Sequence, residues 1–144
     1  MKRIYLDSNC FQRPFDDQRN ERIREETEAF LWIVERMERE EIEIVSSFIH
    51  RIEADEIKDS IRREAVESIL NESSEEISFS PKIESMARII SQSGISPKDS
   101  FHIASAILLE VDFFITCDIP LIKKAKKLQL AFPIFSPVEF KGVY

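Results

Sequence analysis

The sequence predicts an α/β domain built on a mainly parallel sheet. Short apolar runs rich in β-branched and aromatic residues alternate with longer stretches of helical periodicity, the pattern of repeated strand–helix units. No internal repeat or low-complexity linker divides the 144 residues, so residues 1–144 read as one domain, long enough for its own core. Gly94 and Gly142 are the only glycines, so neither a Walker loop nor a dinucleotide-binding Gly-rich loop is present.

The elements follow in order. Arg3 to Leu6 reads as the first strand, with Asp7 at its C-terminal end. Residues 8–19 read as irregular, with a fixed turn at Arg13-Pro14-Phe15-Asp16-Asp17. A long helix runs from about Asn20 to Glu40, with Ile23, Phe30, Val34 and Met37 as its inner stripe and Glu35–Arg39 as an i, i+4 pair. Ile42 to Val45 is a short β-branched strand, after which Ser46 or Ser47 caps a helix holding Phe48, Ile49, Ile52 and Glu53. A further helix spans about Asp59 to Leu70, with Ile61, Ala65 and Ile69 on one face. Ile77 to Phe79 reads as a weak third strand. Pro81 opens a helix that runs through Ile90 and stops at Gly94, a residue suited to ending a helix. Ser96 is a good N-cap for the next helix, through Glu110, with Pro97 at its first position and Asp99 at its third. Phe113 to Thr116 is a buried strand, and Asp118 lies just past it. A helix with Leu121, Ile122, Ala125 and Leu128 follows. The stretch Phe132–Phe140, broken by Pro133 and Pro137, reads as a last short edge strand.

Hydrophobic content of 43% and charged content of 33% suit a globular protein, and no apolar run approaches the roughly 18 residues of a membrane span. The opening Met1-Lys2-Arg3-Ile4-Tyr5-Leu6-Asp7 is a short apolar burst ending in an acid, unlike a secretory signal. Cys10 and Cys117 make neither a zinc pattern nor a disulfide framework and read as small buried residues. The expected location is the reducing cytoplasm. The net charge of −7 argues against holding nucleic acid by bulk electrostatics. That charge is uneven, because residues 117–144 carry five lysines against Asp118 and Glu139, a net of +3, which leaves −10 on residues 1–116.

Four acids stand in positions with chemical meaning. Asp7 and Asp118 each follow a hydrophobic strand, Asp99 lies in the first turn of a helix, and Glu53 lies on the helix after the second strand. Ligands of open parallel sheets gather at the carboxyl ends of the strands. Carboxylates brought together there repel unless a cation sits among them. Hard divalent ions such as Mg2+ or Mn2+ take oxygen ligands and can activate water or clamp a phosphoryl oxygen. Each acid also has a purely structural use. Asp7 can serve a turn, Asp99 a capping box and Asp118 the N-cap of the next helix. Glu53 can sit on a solvated helix face, where Asp55 and Glu56 compete for its role. His102, one turn after Asp99 on the same side, either faces the site or packs hydrogen-bonded in the core.

The order strand-Asp7-Ser8-Asn9, helix-Glu53, Asp99-Ser100-Phe101-His102-Ile103-Ala104-Ser105-Ala106 and Phe114-Ile115-Thr116-Cys117-Asp118 resembles the PIN-domain family. That family includes the ribonuclease toxins of VapC-type toxin–antitoxin pairs. The resemblance covers nearly the whole chain and implies a three-layer α/β/α fold, with Asp7, Glu53, Asp99 and Asp118 as acidic Mg2+ or Mn2+ positions. Thr116 and Asn9 match polar companions of those acids. The implied activity is hydrolysis of single-stranded RNA, and the implied partners are a cognate antitoxin and a second copy of the chain. The run Arg13-Pro14-Phe15-Asp16-Asp17 resembles one branch of the family. There Arg13 either faces a phosphate or a site carboxylate, or forms a structural ion pair. Lys123, Lys126 and Lys127 share one side of a helix and either guide an RNA backbone or suit the helix dipole. No further acid stands shortly after Asp118, where Leu121 and Ile122 are found, so a second metal ion has poor support. Two other readings compete with the nuclease. A phosphatase using Asp7 as acceptor lacks the usual Asp-x-Asp start, since position 9 is Asn. A PIN-like module that binds RNA or protein without catalysis would not need all four acids.

Overall fold

Five parallel strands form the centre of the computed structural model, which describes residues 1–144. They are β1 (Lys2–Leu6), β2 (Ile42–Ser47), β3 (Glu75–Ile77), β4 (Phe113–Ile115) and β5 (Ile134–Phe135), in the order β3-β2-β1-β4-β5. Around them lie α1 (Ser8–Gln12), α2 (Glu21–Glu38), α3 (Phe48–Asp55), α4 (Ser60–Leu70), α5 (Pro81–Ser91), α6 (Pro97–Leu108), α7 (Ile119–Ala125) and α8 (Pro137–Val143).

The strands are apolar on consecutive residues because both faces of the sheet are covered. Alternation sends Ile4, Leu6, Ile42, Ile44 and Ile115 to one face, where they pack with Phe11, Phe30, Val66, Leu70 and Phe140 from the helices α1, α2, α4 and α8. Tyr5, Val45 and Phe114 turn to the other face and meet Ile83, Ile103, Ala104, Ala106 and Leu121 from α5, α6 and α7. The result is the three-layer α/β/α arrangement. No helix is long and apolar enough to cross a membrane.

Four expectations are corrected. Residues 8–15 are ordered rather than irregular: the Asp7 carboxylate accepts the Ser8 N–H (2.8 Å) and starts α1, which buries Cys10 and Phe11 before a 3₁₀ turn at Arg13–Phe15. The third strand is Glu75–Ile77 rather than Ile77–Phe79. Its polar residues pair with β2 and carry ion pairs, Glu75 to Arg3 (2.7 Å) and Glu76 to Arg51 (2.7 Å). On α4 the buried positions are Val66 and Leu70, while Ile61 is 73% exposed. The C-terminal edge strand shrinks to Ile134–Phe135 and is followed by α8, where Ser136 and Glu139 close a capping box. That Ser-x-x-Glu spacing, with Pro137 at the first helical position, was the available sign of a helix start.

Phe140 ties α8 to the core. Its ring lies 5.0 Å from that of Phe113 and 6.3 Å from that of Trp32, both edge-on, and it is fully buried. Phe140→Ala should therefore cost about 3–5 kcal/mol of unfolding free energy, the range for deleting a buried phenylalanine. Chemical denaturation measures it, and a cost under ~1 kcal/mol, as for a surface substitution, would place the segment outside the core.

Candidate active site

Strand order places the acids. The sheet grows one way from β1 through β2 to β3 and the other way through β4 to β5, so its topological switch point lies between β1 and β4. Asp7 directly follows β1 and Asp118 lies three residues past β4, at the carboxyl ends of these neighbouring strands. The Asp7 N–H donates to the Ile115 carbonyl at 2.8 Å, which continues the ladder to the acid itself. Glu53 comes from α3, which leaves the carboxyl end of β2. Asp99 comes from the first turn of α6. This helix leads into β4 and so begins at the same edge of the sheet.

Asp7 is held most firmly. Its Oδ1 accepts the Ser8 N–H (2.8 Å), and its Oδ2 accepts the Thr116 hydroxyl (2.7 Å) and the Asn9 amide (3.3 Å). Thr116 Oγ1 in turn accepts from the Asp118 N–H (3.1 Å) and the Asn9 amide (3.2 Å), while Asn9 Oδ1 accepts the Cys117 N–H (3.1 Å). Asn9 and Thr116 thus stitch the two strand ends together. Cys10 and Cys117 lie beneath this stitch, with their sulfurs 3.8 Å apart. Burial pushes the Cys10 thiol well up, which suits an inert core residue.

Glu53 receives the Ser8 hydroxyl (2.8 Å) and Nε2 of His102 on the same oxygen, Oε1. His102 is fully buried and its Nε2 also stands 3.7 Å from Asp7 Oδ1. Its Nδ1 lies 2.6 Å from the Tyr5 hydroxyl, which reaches Ser47 Oγ at 3.1 Å. A buried chain therefore runs Ser47–Tyr5–His102–Glu53. Burial works against a charge on His102, but the bond to Glu53 and the fields of Asp7, Glu53 and Asp99 outweigh it and raise its pKa. Burial would also raise Glu53, yet His102 and Ser8 hold its carboxyl below the usual range.

Asp99 and Asp118 complete the edge. The Ser96 hydroxyl accepts the Asp99 N–H (3.3 Å), and α6 forms no reciprocal capping box through the Asp99 side chain. Burial pushes the Asp99 carboxyl up; Ser96 and His102 draw it down, and Asp118 and Glu53 push it up again. Asp7 is likewise raised, first by burial, and the fields of Asp99 and Glu53 add to it against His102 and Thr116. The four acids thus share one electrostatic environment. Asp118 does cap α7, its Oδ1 accepting the Leu121 N–H at 3.1 Å, which leaves Oδ2 available.

No three His, Cys, Asp or Glu side chains form a ready-made metal-ligand set. The donor chemistry nevertheless fits a hard divalent cation, which keeps several waters and needs only one or two direct carboxylates. Burial raises Asp7 and Asp99 first, and the repulsion among the acids adds to it; that added repulsion is what such an ion would relieve.

Other candidates fall elsewhere. Arg13 turns from the four acids to Asp16 (2.9 Å) and the buried Glu26 (3.1 Å), the structural ion pair. Glu26 also meets Arg22 (3.5 Å), whose guanidinium donates to the Cys117 carbonyl beside Asp118. Lys123 and Lys126 line a cleft of about 360 Å3 together with Arg22, and Lys127 lies outside it on the following turn. Sequence reasoning missed Tyr5, Ser8 and Arg22. Ser8 was readable as a polar neighbour of Asp7, but Tyr5 sits in an apolar strand and Arg22 in a charged helix, with no local signal in either case.

An open parallel sheet with acids at its switch point defines an α/β domain with an anionic edge. Comparison with known proteins narrows that class. The PIN domain profile matches residues 4–127, and the chain belongs to the PIN-domain family. One chain of the crystal structure of VapBC2 from Rickettsia felis, bound to a DNA fragment from their promoter, superposes with a TM-score of 0.59 and 17% identity over 92% of this chain and 96% of that one. At that identity the likeness shows the fold. No curated protein matches the chain.

The second histidine generates a pH prediction. His50 Nδ1 accepts the Ser47 N–H (3.0 Å), so its proton resides on Nε2, which donates to the Leu6 carbonyl (2.6 Å). Burial and the adjacent His102 lower its pKa from 6.5 to about 3. The unfolded chain therefore takes up a proton that the folded chain refuses, and stability falls as pH drops below 6.5 toward 3. The slope approaches ~1.4 kcal/mol per pH unit. His50→Gln should make unfolding free energy shallower against pH by nearly that amount below pH 6, read from denaturant titrations. Parallel slopes for the two proteins would mean that His50 is charged in the fold.

Proposed function

We propose that the protein is a divalent-metal-dependent endoribonuclease acting on single-stranded RNA, as the toxin of a toxin–antitoxin pair. The observation that carries this reading is the placement of Asp7 and Asp118 on adjacent strand ends at the switch point, with Glu53 and Asp99 delivered to the same edge by two helices. Membership of the PIN-domain family supports it, and the fold shared with a chain of a VapBC complex supports a cognate antitoxin as protein partner. A homodimer working in the cytoplasm completes the proposal.

Asp7, Asp99 and Asp118 would hold Mg2+ or Mn2+, with Glu53 as a further ligand or as the group that orients the attacking water. When bound, the ion would lower the pKa of that water and neutralise charge on the scissile phosphate. The chain's own contribution is positioning. Asp7 is locked by three hydrogen-bond donors and offers its remaining lone pairs in a fixed direction. Glu53 is tied through Oε1, so Oε2 is free to take a proton or align a water. Lys123 and Lys126, beside Arg22, would carry the RNA backbone on the Asp118 side, and Lys127 would extend that path.

Asp99→Asn keeps the shape and removes one charge. It should lower Mn2+-supported cleavage of single-stranded RNA by at least 10–100-fold, roughly what loss of even an outer partner of a metal ligand costs. Cleavage at the parent rate would remove Asp99 from the site. A melting experiment tests the ion separately. At about 100 times its Kd, one bound ion stabilises by roughly 2.7 kcal/mol, a rise in Tm of about 5–10 °C for a domain of this size. Mn2+ should raise the Tm of the parent relative to chelator and leave Asp99→Asn nearly unmoved. Equal responses would return Asp99 to a structural role in α6.

A further inference from the structure

A cleft of about 400 Å3 opens beside Glu53, lined by Gln12, Ile57, Lys58, Arg62 and Lys98. Its size lies in the range of small-ligand sites, roughly 300–1,000 Å3. Three cations reach it from three elements: Lys58 from the loop after α3, Arg62 from α4 and Lys98 from the first turn of α6, next to Asp99. Two acids besides Glu53 also line it, but both are engaged. Glu56 holds Lys98 at 2.8 and 2.9 Å, and Asp59 caps α4 by accepting the Ile61 and Arg62 N–H groups at 2.9 and 3.1 Å.

The cations differ in how freely they can meet an anion. Arg62 is a fixed wall, held by Asp16 at 2.7 Å with its guanidinium 5.6 Å from the centre of the Phe15 ring. Lys58 is exposed and has no carboxylate partner. The Lys98–Glu56 pair is half-exposed, and such solvent-screened pairs are weak, so Glu56 exchanges readily for a phosphate. Gln12 supplies a different chemistry. It lies one helical turn after Ser8, whose hydroxyl binds Glu53, and so shares its face of α1. Its carboxamide makes no hydrogen bond within the protein, although the residue is half-buried. An amide offers a donor and an acceptor together, the pairing that reads the edge of a base.

We infer that this cleft holds the nucleotide adjacent to the scissile phosphodiester, with Lys58 and Lys98 on its phosphate and the Gln12 carboxamide on its base. The inference rests on the nuclease reading above and adds a base-reading residue to it. It also gives the RNA a second run of contacts, separate from the cleft lined by Lys123 and Lys126.

The test compares the parent, the Lys58→Gln/Lys98→Gln double variant and Gln12→Ala on a random-sequence single-stranded RNA with Mn2+, reading kcat, KM, salt dependence and the sequence at the cut ends. The double variant should raise KM at least ~10-fold, the loss expected for two charge-assisted phosphate contacts, with kcat little changed. Its log KM against log salt should flatten by about 1.4, since each contact to a single strand contributes ~0.7. Gln12→Ala should flatten the base preference at one position next to the cut. A cutting parent whose variants keep its KM, salt slope and cut-site sequences overturns the cleft assignment and leaves the nuclease standing. A parent that neither cuts this RNA nor binds it in chelator, by fluorescence polarisation, overturns both.

Discussion

The hydrogen bond from the Thr116 hydroxyl to the Asp7 carboxylate, at 2.7 Å, joins the two strand ends on which the rest of the site depends. Asp7 is only 4% exposed, and a buried carboxylate without donors would cost several kcal/mol or shed its charge. Thr116 supplies one donor and, through its own oxygen, receives the Asp118 N–H, so one side chain sets both acids. Asn9 repeats the device from α1, just past β1, giving its amide to Asp7 and Thr116 while its side-chain carbonyl accepts the Cys117 N–H. These bonds fit only one register of β1 against β4, the one in which Leu6 faces Ile115. Strand pairing and carboxylate geometry are therefore a single constraint.

Helix direction does the rest of the gathering. A helix that follows a parallel strand starts at the strand's carboxyl end, which is why Glu53 arrives from α3. A helix that precedes one must run back along it, so its N-terminus reaches the same edge, which is why Asp99 stands in the first turn of α6. The site occupies the place where helix N-termini and strand C-termini converge, and helix dipoles there favour negative charge. The acids concentrate where helix dipoles favour negative charge, yet burial, with their mutual field added, still raises Asp7 and Asp99.

Two buried histidines show how neighbours decide charge. His50 and His102 have ring centres 4.7 Å apart and both are 1% exposed. His50 is bonded at both nitrogens to the backbone, at Ser47 and Leu6, and burial keeps it neutral. His102 is flanked by Glu53 and Asp7, and their negative field turns its pKa upward. Equal burial thus yields opposite shifts, because burial and the neighbouring His102 keep His50 neutral, whereas the carboxylates around His102 outweigh its burial and favour a charged ring.

The alternation of apolar strands and periodic helices was enough to predict the parallel sheet and its helical layers, because burial of both faces leaves a near-continuous apolar strand that local composition reveals. Motif order placed Asp7, Asp99 and Asp118 at element ends, where caps and strand boundaries leave local signs. What the sequence could not decide were contacts between distant residues. The Ser47–Tyr5–His102–Glu53 chain joins residues up to 97 apart in sequence, and Tyr5 in an apolar strand gives no hint of its polar partner. Arg13 suited either a site anion or a structural ion pair, and the folded chain selects the ion pair with Asp16 and Glu26. The face of α4 was misread for the same reason: both sets of positions have helical spacing, and only the packed neighbours select Val66 and Leu70 over Ile61. Periodicity and capping are written locally, so the chain itself determined its elements and the ends on which its acids stand. The partners of each side chain were decided by the sheet order, which exists only once the chain is folded.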